Sequence, residues 1–395
     1  MTEPVVRIEK VVAEGDGLGR LPDGRVVFVE GGLPGEVVSI RIVKQSRDYA
    51  RAVMVDVLEA NPDRVDPPCP YVSRGCGGCD LQHASIELQR RIKVDVVRES
   101  LVRIGRLTDP DVVLGPVHNQ PFGYRTTIRV ARGEDGRVGF RRRSSHDVVP
   151  VTACLVAHPT LNTAFETVRV GPHVDDIAIR VSSVDDAITW WAEPDAHDVS
   201  GLSDRGGPDA RLVERVLDRD FVVSAGSFFQ SSPLAAEALV DSVRRSLGDP
   251  STWPDGDVVD AYSGIGLFAA LAVPADRHVV AIESNPWACT DARENLSDRA
   301  ATIVESRVDD WSPHDCAMVI ADPARDGLRA SGVEVLANTN AAVIVLVSCD
   351  PASLGRDARL LDAAGYDLDR CEVLDLFPQT HHVEAVSRFV RRERL

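Results

Sequence analysis

Four short apolar runs in the C-terminal part of this chain, each stopping at a different polar signature, constrain its fold more than any other feature. Residues 257–260 (DVVD) lead into AYSGIGLF, and 278–282 (HVVAI) stop at Glu283-Ser284-Asn285. Residues 317–321 (AMVIA) stop at Asp322-Pro323-Ala324-Arg325, and 341–347 stop at Ser348-Cys349-Asp350-Pro351. Runs so short, without polar alternation, read as strands buried on both faces. Helical stretches separate them, notably at 286–296 and 352–363. Strands alternating with helices predict a parallel sheet covered on both sides, a doubly wound α/β domain. Such sheets carry their chemistry at the carboxyl ends of the strands.

The four endings therefore carry the functional information. After the first strand, Gly264 and Gly266 let the backbone approach a ligand closely. After the second, Glu283 suits the two hydroxyls of a ribose. The G-x-G-x-x-G spacing is absent, because Leu267-Phe268-Ala269 follow the pair. A nucleoside-type cofactor such as S-adenosylmethionine fits this pattern better than a dinucleotide. After the fourth strand, Cys349 is a candidate nucleophile, since an enzyme can bring a thiolate within reach at such an edge. A small buried cysteine capping a core strand is the plainer alternative on that residue alone.

At 395 residues the chain can hold two or three cored domains, and its net charge of −17 argues against a general polyanion-coating protein. Seven arginines nevertheless crowd residues 122–143, at positions 125, 129, 132, 137, 141, 142 and 143. That strip can hold a phosphate backbone or be a solvated hairpin. The acid excess lies elsewhere, for example over 175–220. The N-terminal residues lack the apolar core of a signal peptide, and no run reaches the length of a membrane span. The expected setting is the cytoplasm, with thiols reduced and no membrane partner, so disulfides do not account for the eight cysteines.

Three of those cysteines, Cys69, Cys76 and Cys79, form a C-x6-C-x2-C cluster in glycine-rich sequence. Such a loop lets thiolates converge on one point, and Cys154 is the nearest remaining cysteine for a fourth position. Four thiolates fit zinc or a [4Fe-4S] cluster. Cys289, Cys316 and Cys371 lie in helix- or strand-like sequence and read as packing residues. The chain divides into three parts: 1–58, a small barrel of four or five strands; 59–221, a loop-rich middle with the cysteines, a helix over 85–104 and the basic strip; and 222–395, the doubly wound domain.

Taken in order, the motifs resemble those of the RNA uracil-5-methyltransferases. They are GLGRLPDGRVVFVEGGLPGE at 17–36, the cysteine cluster, FFQ at 228–230 and DAYSGIG at 260–266. DPARDG at 322–327, SCDPASLGRD at 348–357 and FPQTHHVEAV at 377–386 complete the set. The resemblance covers essentially the whole length. It implies a class I Rossmann-like methyltransferase domain, an N-terminal TRAM-type β-barrel and a central iron–sulfur domain. The implied reaction is methylation of uridine C5 in RNA, with 23S rRNA favoured. A tRNA T-loop uridine, or a cytosine-5 RNA methyltransferase, is the alternative.

The resemblance also implies roles. Cys349 adds to uracil C6 and Glu384 removes the C5 proton. Gln230, Tyr262, Gly264, Gly266, Glu283 and Asp322 serve S-adenosylmethionine, and Cys69, Cys76, Cys79 and Cys154 hold the [4Fe-4S] cluster. The cluster would cross-link a middle part with little apolar core of its own, in a protein expected to be a monomer. This chain departs from the family pattern in having Leu267 after the glycine pair, Ser232 after the glutamine, DPAR for DPPR, and one extra residue in C-x6-C.

Overall fold

A computed structural model describes residues 3–116, 120–194, 198–203 and 205–392. The five strands Val5–Val11, Gly17–Arg20, Val26–Glu30, Val37–Gln45 and Tyr49–Glu59 close into a barrel. Its interior is filled by Val6, Ile8, Val27, Val29, Val38 and Ile40, which alternate with outward residues as a two-residue period requires.

The C-terminal sheet has eight strands. In spatial order these are Ala301–Glu305, Val279–Glu283, Val258–Ala261, Met318–Ala321, Val343–Ser348, Glu384–Arg391, Tyr366–Leu374 and Val112–Leu114. The first five are parallel, as the apolar runs predict. The expectation of a purely parallel sheet needs correcting, because Glu384–Arg391 runs antiparallel to both of its neighbours. It returns from Tyr366–Leu374 through the 375–383 loop, which is too short to cross over with a helix. Successive residues of each central strand enter different cores. Val258, Ile320 and Val345 pack on one face, and Val259, Val319 and Ile344 on the other. Each such fully buried aliphatic contributes about 1.5–3 kcal/mol.

One helix and one strand of this sheet domain come from far upstream. The helix Ile86–Arg103 buries Val97 and Leu101 beside Leu354, Ala358 and Leu361, and Val112–Leu114 forms the sheet's last strand. Both lie in sequence within 59–221, yet in space they belong to the doubly wound layer.

The middle part is built on a five-stranded sheet in the order Ile188–Pro194, Val174–Val181, Thr127–Arg132, Val138–Arg141 and Val148–Pro150. Against it lies the helix Pro159–Thr167, and Ile128, Val130, Leu161, Phe165, Ile177 and Ile179 form a core between them. This corrects the expectation of little apolar core. The alternating pattern of 174–181 is diluted by Asp175, Asp176 and Arg180, which hid the strand in sequence. No described helix is long and apolar enough to cross a membrane.

Candidate active site

Strand pairing brings Cys349 and Glu384 together. In the antiparallel ladder Val347 faces Val386 and Ser348 faces Ala385, so the next step of the register sets Cys349 opposite Glu384. Cys349 leaves its strand where the helix Pro351–Ala363 begins. Pro351 opens that helix, and Asp350 Oδ1 caps it by accepting from the Ser353 amide at 2.7 Å. On the other side of the Cys349 strand, Ala321 pairs with Leu346, which delivers Asp322 to the same edge.

The three groups form an acid-rich, water-poor cluster. Burial, then Glu384, then Asp322 push the Cys349 thiol up to about 12, while Arg325 pulls it down. Burial, reinforced by Asp322, holds Glu384 well above the ordinary carboxylate range, and burial also raises Asp322. Asp260 lies beneath, pushed up to about 7 by burial against the pull of the Ala269 amide. Its Oδ1 is buried without a hydrogen-bond partner. Burial thus favours the protonated form of each of these acids.

The glycine turn lies next to this edge. Gly264 adopts φ +55°, and a Cβ there would meet nothing within 4 Å, so the backbone borders open space. Gly266 adopts φ +86° and abuts Leu296, a packing requirement. The Glu283 carboxylate folds onto this turn: Oε2 accepts from the Gly264 amide at 2.9 Å, and Oε1 from Ser284 and Asn285, each at 2.7 Å. A carboxylate has about four lone-pair positions, so room remains for one hydroxyl without displacing an amide. Tyr262 takes φ +61°, unusual for a residue with a side chain, and packs toward Gly332. Gln230 is buried beside Phe229, whereas Phe228 is 70% exposed.

Two departures from the family pattern have local explanations. Leu267 is buried in the core on one face of the sheet. Ser232 is the N-cap of the helix Pro233–Leu247, accepting from the Ala235 amide at 3.1 Å.

Cys69, Cys76, Cys79 and Cys154 line one cavity of about 350 Å³, together with Arg125 and His382. Burial raises the thiols of Cys76, Cys79 and Cys154, Cys79 to about 12, and neighbouring thiols add to each. Among the described residues no group of three or more His, Cys, Asp or Glu side chains stands in metal-binding geometry. The arginine hairpin supports this loop: the Gly77 amide donates to the Arg141 carbonyl at 3.0 Å, and Cys76 bridges Arg142. Cys289, Cys316 and Cys371 are buried packing residues, as expected.

The basic strip is largely answered within the molecule. Arg141 and Arg129 pair with Asp176, and Arg137 with Asp135. Arg143 pairs with Asp16 of the barrel at 2.9 Å and approaches Glu30 at 3.8 Å. Asp176 belongs to the acid excess that looked remote in sequence, and strand pairing folds it onto the strip. Sequence reasoning also missed what links the strip to the active edge. Arg125 carries a buried, unpartnered Nε and lies 5.7 Å from the Phe377 ring centre, while His382 packs edge-on to the same ring.

With this geometry described, comparison with known proteins identifies the class. Residues 4–55 match the TRAM domain, and residues 305–392 match the family described as tRNA (Uracil-5-)-methyltransferase. An uncharacterized RNA methyltransferase from Streptomyces avermitilis is 34% identical over 97% of this chain and 96% of its own length. The 23S rRNA (uracil(1939)-C(5))-methyltransferase RlmD from Methylococcus capsulatus is 31% identical, covering 98% of this chain and 97% of its own. The crystal structure of the Pyrococcus abyssi tRNA (uracil-54, C5)-methyltransferase, in complex with S-adenosyl-L-homocysteine, shares the fold. Its TM-score is 0.75 at 24% identity, over 99% of this chain and 100% of that one. The fold is that of a methyltransferase joined to a TRAM barrel. The chain belongs to the RNA uracil-5-methyltransferase family.

Proposed function

We propose that this protein methylates C5 of a uridine in 23S rRNA through a covalent adduct between Cys349 and uracil C6. The observation that carries the reading is the juxtaposition of Cys349 and Glu384 across one ladder, with Asp322 on the flanking strand. Uracil C5 is a weak nucleophile. Addition of the Cys349 thiolate to C6 converts the ring to an enolate that is nucleophilic at C5, dividing one hard step into two. The thiol must first lose its proton. The nearby raised carboxyls, once ionised, can accept it, while Arg325 and the helix beginning at Pro351 favour the thiolate.

S-adenosylmethionine, when bound, supplies the electrophilic methyl group. The residues fit it: Gly264 borders open space, Glu283 keeps an acceptor position, and Asp260 Oδ1 lacks a partner. Gln230, Tyr262, Gly266 and Asp322 complete the proposed binding set. After methylation Glu384 takes the C5 proton. The C–H electron pair forms the C5–C6 double bond, and the Cys349 sulfur leaves as thiolate. Burial gives Glu384 the proton affinity this step needs.

Cys69, Cys76, Cys79 and Cys154 are the proposed ligands of a [4Fe-4S] cluster, with zinc as the alternative. Four soft donors lining one cavity match either in donor type, while their placement among the described residues is not yet that of a metal site. No step of the mechanism needs electron transfer, so the group would fasten the cysteine loop to the middle sheet.

RNA carrying 5-fluorouridine tests the chemistry, because fluorine cannot leave as a proton. The protein should be trapped as a complex stable to denaturation, and absence of any complex overturns the adduct. The rRNA preference is supported by the 31%-identical relative named for that substrate. Mapping 5-methyluridine in a deletion strain should show loss from 23S rRNA. Loss from tRNA alone would reverse the choice.

A further inference from the structure

The loop that leads into Glu384 is gripped from outside its own strands. Residues 375–383 connect Tyr366–Leu374 to Glu384–Arg391, and the helix Ile86–Arg103 turns Gln89 and Lys93 toward them. These two residues are four apart and so share one helix face. Lys93 Nζ is buried, donating to Asp375 Oδ1 at 2.7 Å and to the Phe377 carbonyl at 2.9 Å. Gln89 Oε1 accepts from the Gln379 amide at 2.8 Å. Its Nε2 donates to Gln379 Oε1 at 3.1 Å, Leu81 O at 3.0 Å and Ala84 O at 2.9 Å.

Gln379 is held in a left-handed conformation at φ +74°. A residue with a side chain keeps such a conformation only where its surroundings over-determine it. Here they do, because the Leu81 amide also donates to the Gln379 carbonyl at 3.0 Å, and Asp80 accepts from the His381 amide at 2.8 Å. Glu384 is the first residue of its strand and pairs with Leu374, so a shift in the loop reaches it before any other ladder residue.

We infer that Gln89 and Lys93 are positioning residues for Glu384, setting the loop so that its carboxyl meets the C5 proton of the adduct. The inference rests on the covalent mechanism proposed above. Neither residue touches the substrate, since both are buried beneath the loop. The step they serve is the transfer of the C5 proton to the Glu384 carboxylate with release of Cys349.

The test uses full-length protein with steady-state methylation for kcat and KM, and a denaturing gel for RNA-linked protein. Gln89→Leu and Lys93→Met should lower kcat by about 10- to 100-fold, the scale of a small misplacement at a reacting group. KM for RNA and for S-adenosylmethionine should fall with kcat rather than rise, because methylated adduct should accumulate. Lys93→Met leaves Asp375 buried beside fewer partners and can fail to fold. The double variant Lys93→Met, Asp375→Leu removes both fully buried charges and, although Arg90 loses its 3.2 Å pair with Asp375, should melt closer to wild type than Lys93→Met alone. It still leaves the Phe377 carbonyl without its donor, so low kcat and accumulated adduct are expected to persist. Recovery of kcat together with melting temperature would overturn the inference, reducing the pair to fold stability. So would a rise in KM at unchanged kcat, or slow turnover without adduct. A wild-type protein that never traps fluorinated RNA would instead overturn the mechanism beneath it.

Discussion

Cys349 and Cys79 are both half-buried thiols pushed up to about 12, yet their neighbours give them opposite capacities. Around Cys349 stand carboxyls that can take a proton, an arginine, and the start of a helix. Around Cys79 stand other thiols and Arg125. A thiol beside proton acceptors at a strand edge can become a nucleophile during turnover. Thiols facing one another have no internal acceptor, and a soft cation is what would draw off their protons. The same residue type, raised to a similar degree, meets different chemistry in its neighbours.

The sharpest way to break this contrast is Cys349→Ala. Methylation should fall by about 10⁴-fold or more, with S-adenosylmethionine affinity, measured by calorimetry, nearly unchanged. Retained turnover would make Cys349 an ordinary strand cap.

Glu384→Gln should methylate once and stall as an adduct, seen on a denaturing gel; rapid turnover would move the base elsewhere. The same variant has a pH signature. Burial raises the Glu384 pKa on folding, so below the unfolded-state value of about 4.3 both states are protonated and the substitution changes little. Above it the folded state holds the extra proton, and wild type loses up to about 1.4 kcal/mol per pH unit until the raised value is reached. Glu384→Gln should therefore raise the melting temperature more at pH 8 than at pH 5. A pH-independent difference would mean that the carboxyl is solvated.

On the other side of the comparison, Arg143→Glu would set an acid against Asp16, which is almost fully buried, and Glu30. It should destabilise the barrel's attachment by about 3 kcal/mol, read as an early melting step. Arg141→Glu loses one half-exposed pair with Asp176 and should cost at most about 1 kcal/mol. Equal effects would mean that the strip faces solvent as a unit.

The smallest effect on chemistry is expected from Cys154→Ser. Anaerobically purified wild type should carry about four irons per chain, and the variant should lose them. Proteolysis of the 69–79 loop should speed up, while turnover falls by no more than about tenfold, or 1.4 kcal/mol. One zinc per chain in colourless wild type would replace the cluster.

Much of this protein is legible in its sequence because its strands are local signals. Runs such as VIVLV can be satisfied only by burial on both faces, so the parallel strands and their polar endings follow from composition and order. The barrel is equally readable, since its alternation and glycine turns repeat within 55 residues. Cys349, Asp322 and Glu283 could be singled out because each ends such a run.

What the sequence could not decide is set by contacts between distant segments. The motif at 377–386 picks out Glu384 only by resemblance, and no local pattern sets it opposite Cys349; the antiparallel register does, and register is a property of two strands. The seven arginines looked like one basic surface until strand pairing brought Asp176 to two of them and barrel docking brought Asp16 to a third. Lys93 and Gln89 read as ordinary helix residues, and only packing buries them against a loop almost 300 positions away. Local patterns determine which elements form, because burial and backbone preference act within a few residues. Protonation, pairing and positioning depend on the field and hydrogen bonds of neighbours that only the folded chain supplies.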